Sequence, residues 1–188
     1  MNNIMVDVVT LDENNKSPLC AIEAVCFEPS TGKTGAEFYR VINIYSARGS
    51  NGRIPINTAF EWMKKDAADR AQLIEAKESE ETAICEFCEF LYDNTKENHG
   101  EFFLWFKYAT KKKNTLWLAF EDIDARVIRW DRIRIRDIDP LIDLAKVTGY
   151  TPHASNTNRP HTITKARYQA EQVCEIWQRL TSPYFESL

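Results

Sequence analysis

The sequence predicts an α/β or α+β fold organised on a mixed β-sheet. Three observations point there. Residues 5–45 hold three β-rich runs. Residues 57–146 alternate helical apolar spacing with short apolar runs. A long amphipathic stretch over residues 164–180 closes the order.

Residues 5–10 (MVDVVT) read as a strand interrupted by one acid, Asp7. Residues 18–28 (PLCAIEAVCFE) form a second β-rich run, and residues 37–45 (EFYRVINIY) a third. The turn cluster PSTGKTG between the last two makes them a hairpin, so the N-terminal part reads as a three-stranded antiparallel meander. A helix is expected over residues 57–65, extended through residue 73, with Asn57 or Thr58 at its start. Residues 80–93 place Ile84, Phe87, Cys88 and Leu91 at helical spacing. Residues 101–106 (EFFLWF) read as a buried strand, residues 114–126 as a helix, and residues 127–138 as a strand or bent segment. Pro140 opens a helix over residues 139–146 that ends near Gly149. Residues 150–160 are a polar loop, and a tail follows Pro183.

Composition bounds the function. The 188 residues suit one domain, expected over residues 1–182 with a tail at 183–188, and such a chain buries roughly 70% of its unfolded surface. Acids outnumber bases 28 to 24, for a net charge of −4, which excludes a wholly basic nucleic-acid coat but leaves room for a local basic patch. The charged and apolar fractions, 28% and 44%, exclude a disordered chain. The start MNNIMVDVVTLDENN has no basic region and no long apolar run, so no signal peptide is expected, and no stretch suits a membrane span. Five cysteines in such a chain are expected to be reduced, in the cytoplasm.

Several patterns could carry chemistry. Gly32-Lys33-Thr34 has the form of the end of a phosphate-binding loop but lacks the earlier glycine and the strand–loop–helix context, so it reads as a turn. Cys85 and Cys88 form a CxxC without a second pair, and both are assigned to the apolar face of a helix. Lys111, Lys112 and Lys113 form a charge run, read as a solvated loop or a phosphate contact. Arg126, Arg129, Arg132, Arg134 and Arg136 are nearly balanced by Asp122, Asp124, Asp131 and Asp137, which fits an ion-pair network as well as a phosphate site. His161 stands in a polar loop just before the last helix.

Taken from about Ile4 to Leu180, these pieces resemble a DEDDh-type 3′–5′ exonuclease, of the DnaQ-like superfamily on the ribonuclease H-like fold. The branch it is most similar to holds phage and mycobacterial enzymes of the exodeoxyribonuclease A type. Asp7-Val8-Val9-Thr10 stands where that branch has Asp-x-Glu-Thr. Ala21–Phe27 resembles its second strand, and Thr58 and Trp62 its Thr- and Trp-bearing helix start. Trp105–Lys112 takes the place of its Trp-Gly-x-x-Ala-Ser-Phe-Asp segment. Arg136–Leu144 resembles its Arg-Asp-x-Arg-Thr-Leu-x-Asp-Leu stretch, and Ala166, Gln169, Ala170 and Trp177 match the end of its last motif. The resemblance implies a mixed five-stranded central sheet flanked by helices, with the first strand central.

The departures carry the functional expectation. Such enzymes hold two Mg²⁺ or Mn²⁺ ions with four carboxylates and use a histidine as general base. By the resemblance, Asp7 alone survives, as a vestigial carboxylate. The glutamate position is Val9, the second aspartate falls on Lys112, the last on Lys165, and the histidine on Pro160, with His161 vestigial and one residue late. A shift of register would instead offer Asp122 or Asp124 as the second aspartate; Glu23 and Asp12 are not read as substitutes for Val9. Lysine offers donors only, so a pairing of Asp7 with Lys112 or Lys165 is expected, with no metal and no cofactor. The chain is thus expected to be a degenerate exonuclease, a pseudoenzyme of phage or prophage type. It would bind nucleic acid through Lys111, Lys112, Lys113 and Lys165, or bind a host or phage protein, away from membranes. Two alternatives stand beside this: a weak metal-dependent 3′–5′ exonuclease using Mg²⁺ or Mn²⁺, and a structural homo-oligomer, such as a homodimer, on the exonuclease scaffold.

Overall fold

The first strand organises the sheet because it is apolar on both faces. In the computed structural model, which describes residues 1–11, 17–46, 56–64, 67–95, 101–121, 130–152 and 165–182, β1 spans Asn3–Thr10, β2 Leu19–Glu28, β3 Lys33–Val41, β4 Phe102–Phe106 and β5 Ile133–Asp137. The order is β3-β2-β1-β4-β5. β1 pairs antiparallel with β2 and parallel with β4; β4 pairs parallel with β5, and β2 antiparallel with β3. The sheet is mixed and five-stranded, with β1 at its centre, as expected. Near-continuous apolar runs in β1 and β2 follow from burial on both faces.

Six helices accompany the sheet among the described residues: α1 Ile56–Met63, α2 Ala67–Glu75, α3 Glu80–Thr95, α4 Ala109–Glu121, α5 Asp139–Val147 and α6 Lys165–Thr181. Side chains alternate along β1. Ile4, Val6 and Val8 join a core with Phe87 and Leu91 of α3 and Leu116 and Phe120 of α4. Met5 joins a second core with Ile142 and Ala145 of α5 and Ala166, Ala170 and Val173 of α6. By the same alternation Asp7 and Val9 share the face of Met5. No helix among the described residues is long and apolar enough to cross a membrane.

Several boundaries differ from the sequence reading: β1 starts at Asn3, β3 ends at Val41 rather than residue 45, α3 runs on to Thr95, and four others are larger. β3 starts at Lys33 rather than residue 37, because Gly32 takes φ 73° and its N–H bonds to the Glu28 carbonyl, so strand pairing resumes at once as Glu28↔Lys33. The single helix expected over residues 57–73 is two, and Arg70 of α2 donates to the Met63 carbonyl at the end of α1 (2.8 Å), satisfying an acceptor that the break frees. α4 starts at Ala109, not residue 114, so Lys111–Lys113 lie in a helix rather than a loop. β5 is the five-residue end of the expected 127–138 segment and follows a single 3₁₀ turn at Trp130–Arg132. The expected tail at 183–188 lies outside the described residues.

The Gly32-Lys33-Thr34 pattern is the β2–β3 turn. α5 carries Pro140 in its first turn and stops before Gly149 at φ 77°, as its sequence implied.

Phe87 is fully buried, with its ring centroid 5.3 Å from that of Phe38 and 6.3 Å from those of Phe90 and Phe120. Phe87→Ala should lower the unfolding free energy by about 3–5 kcal/mol. Urea denaturation reads it, and an unchanged midpoint would remove Phe87 from the centre of this core.

Candidate functional site

Asp7 lies 1% exposed in the middle of β1, a place that a lone carboxylate occupies only with a partner. That partner is Lys112 of α4, whose ammonium donates to Asp7 Oδ1. Burial lowers the Lys112 pKa to about 8, the charge of Lys165 pushes the same way, and Asp139 opposes them. The hydrogen bond to the Asp7 carboxylate favours the ammonium form.

The start of α4 fixes where Lys112 stands. Asp137 Oδ2, at the end of β5, accepts the Ala109 N–H (3.0 Å), and Asp139 Oδ2 accepts the Tyr108 N–H (3.1 Å). Asp137 Oδ1 also accepts the Asp139 N–H (3.0 Å). Two carboxylates, one from the end of β5 and one from the start of α5, thus satisfy donors at the N-terminus of α4, where negative charge is favoured. Tyr108 itself has φ 58°, a left-handed conformation that costs a non-glycine residue about 1–2 kcal/mol. Its carbonyl accepts the N–H groups of both Lys111 and Lys112 (3.1 Å each).

Glu23 of β2 stands directly across from Asp7. The sequence reading set it aside; the structure places it in the site, 5% exposed. Two facing carboxylates repel unless each has its own partner. Glu23 accepts the N–H groups of Lys165 and Ala166 (3.2 Å each), so it caps the N-terminus of α6. Burial raises its pKa, while the Ala166 bond, the Lys165 charge and the Lys165 bond hold it down. The available signal was an acid inside an otherwise apolar strand, at the cross-strand position from Asp7.

The expected residues thus divide. Asp7, Lys112 and the backbone of Lys165 come together, and Lys112 rather than Lys165 forms the ion pair with Asp7 among the described residues. Lys165 is exposed, and its charge acts on both Glu23 and Lys112. Val9 is half-buried on the Asp7 face of β1 and offers no ligand. Lys111 and Lys113 lie about 100° to either side of Lys112 around α4; the Lys113 ammonium sits 5.6 Å from the centroid of the Trp117 ring. Asp12, Asp122, Asp124, Pro160 and His161 lie outside the described residues.

The other candidates divide as well. Cys88 is buried and its thiol is pushed up to about 12 by burial, which makes it inert; Cys85 is exposed, against the expectation that both face the core. Three residues turn a helix by less than a full circle, so the pair straddles the boundary of the apolar face. Arg134 pairs with Glu101, and the Arg136 guanidinium stacks 3.7 Å from the Phe103 ring centroid and 4.9 Å from that of Trp105. Asp137 caps α4 instead of joining an arginine network. Arg126 and Arg129 lie outside the described residues.

Among the described residues, the donors gathered here do not suit a divalent ion. Mg²⁺ and Mn²⁺ need oxygen ligands converging on one point. Here Asp7 carries an ammonium, Glu23 is committed to a helix end, and no three His, Cys, Asp or Glu side chains among the described residues could hold a metal.

Comparison with known proteins places the fold. The model of the Rv2179c-like 3′-5′ exoribonuclease domain matches residues 2–177. Among solved structures, a moderately thermophilic Exonuclease I from Methylocaldum szegediense superposes with TM-score 0.60 over 96% of this chain, at 9% identity. Exonuclease I of E. coli, solved in complex with a 5cy-dA13 oligonucleotide, superposes with TM-score 0.58 over 96% of this chain, at 8% identity. The chain spans 41% of the length of each. At such identity the likeness is one of fold, and the fold is ribonuclease H-like. A search of curated proteins finds no match.

Two outcomes test the site. Lys112→Met leaves the Asp7 carboxylate buried and unpaired, and should destabilise the protein by about 3–5 kcal/mol in urea unfolding; the double variant Asp7→Asn/Lys112→Met should recover most of that. A fully stable single variant would refute the pairing. For Glu23, a raised pKa means that the native state holds the proton more tightly than the unfolded chain. Its contribution to stability is full below the ordinary carboxyl range and is lost as pH rises through the raised value. Glu23→Gln should therefore melt higher than the wild type near pH 8, with the difference vanishing near pH 4. A difference that grows towards acid would reverse this assignment.

Proposed function

This chain belongs to the Rv2179c-like 3′-5′ exoribonuclease domain family, and on that premise we propose that it keeps the family fold without the hydrolytic centre and acts by binding nucleic acid. The observation that carries this is the Lys112 ammonium on Asp7. Metal-assisted hydrolysis needs a cation that polarises phosphate and lowers the pKa of a bound water. An ammonium offers a single positive charge and hydrogen-bond donors, so it can hold an anion but cannot generate hydroxide. On this reading Asp7 is vestigial, Val9, Lys112 and Lys165 mark the lost ligand positions, and no metal or cofactor takes part.

Lys111, Lys113 and Lys165 are the cations that would meet phosphates, because none of the three is committed to Asp7. The solved E. coli Exonuclease I, with its bound oligonucleotide, supports a nucleic-acid ligand for this fold. A second reading, a scaffold that binds protein or a second copy, is favoured by the exposed apolar residues Ile56, Phe60 and Met63 along α1.

A 3′-labelled single-stranded RNA or DNA oligonucleotide, incubated with Mg²⁺ or Mn²⁺, should remain full length while binding in a salt-dependent way. Each phosphate contact removed by Lys111→Ala or Lys113→Ala should flatten the slope of log affinity against log salt by about 0.7. Shortening of the oligonucleotide that Asp7→Asn abolishes would restore the enzyme reading. A stable dimer that binds no oligonucleotide would favour the scaffold.

A further inference from the structure

We propose that Tyr108 is a stacking platform for an unpaired nucleobase, beside the lysines of α4. The inference rests on the nucleic-acid reading above and names the part of the ligand that the lysines do not hold.

Tyr108 has the single non-glycine positive φ among the described residues, at 58°. Glycine or asparagine takes that conformation at lower cost, whereas a bulky aromatic there is an outlier. The backbone is held by hydrogen bonds on both sides of the residue. The Tyr108 N–H is on Asp139, the next N–H is on Asp137, and its carbonyl takes two N–H groups of α4. This frame aims the side chain outward, and nothing in the core gains from it, because Tyr108 is 59% exposed. Strain held by an over-determined frame, with no packing in return, marks a residue kept for contact.

The surroundings define the contact. The Lys107 ammonium lies 5.5 Å from the Tyr108 ring centroid. Lys111 follows within one helical turn, its backbone N–H bonded to the Tyr108 carbonyl, while the ammonium of Lys112 is taken by Asp7. An exposed aromatic face next to a row of ammonium groups is the pairing that single-stranded nucleic acid uses: cations follow the phosphates and the ring takes a base. A base stacked in a duplex has no free face for such a ring, so the ligand is an unpaired end or loop.

The test uses the full chain and a single-stranded oligonucleotide carrying 2-aminopurine in place of every adenine. Wild type should bind it and quench its fluorescence. Tyr108→Phe keeps the ring and should retain both affinity and quenching. Tyr108→Asn suits the same backbone, so it should fold with an unchanged or raised melting temperature, lose the quenching and bind roughly tenfold more weakly. An oligonucleotide made abasic at the quenched position should bind wild type roughly tenfold more weakly as well, with no further loss in Tyr108→Asn. Unchanged affinity and quenching in Tyr108→Asn would overturn the proposal and leave the nucleic-acid reading intact. Failure of wild type to bind any oligonucleotide would overturn both.

Discussion

One buried ion pair holds the functional end of this molecule together. Lys112 ties α4 to the central strand through Asp7, the single carboxylate of β1, and is its ion-pair partner among the described residues. Everything near it is arranged to leave that pair undisturbed. Glu23, which faces Asp7 and would otherwise repel it, is drawn to the N-terminus of α6. Lys165, which would compete for Asp7, stands exposed beside Glu23. Buried pairs of this kind are poor sources of net stability but severe when broken. What this one adds is a fixed contact between α4 and β1.

The charge arithmetic takes on a local meaning. Across the sequence, acids exceed bases by four. Around Asp7 the two signs nearly cancel, with Lys112 and Lys165 set against Asp7, Glu23 and Asp139. The positive surface suited to phosphate is therefore the flank of α4, at Lys111 and Lys113, and not the pocket itself. This separates a structural lysine from its two neighbours in one short run, a distinction that a count of charges cannot make.

The parts of the fold that are locally encoded were legible in the sequence. β1 and β2 announce themselves as apolar runs, and α6 by its spacing of Ala166, Ala170, Val173 and Ile176. What was not legible depends on distant partners. α4 begins five residues early because Asp137 and Asp139, from β5 and α5, take its first donors. The Asp7–Lys112 pair spans 105 positions, and only the family resemblance suggested that they meet. Glu23 was set aside as lying outside the strand pattern, whereas it stands within β2 and its partner is a helix end far along the chain. The left-handed Tyr108 leaves no mark in composition or periodicity.

The bolt between β1 and α4 also constrains substitution. An aspartate at position 112 would set a second carboxylate beside Asp7, with Glu23 and Asp139 close by. Such a variant would have to take up a proton or a cation to relieve the repulsion, so the residue at position 112 is tied to the acid at position 7.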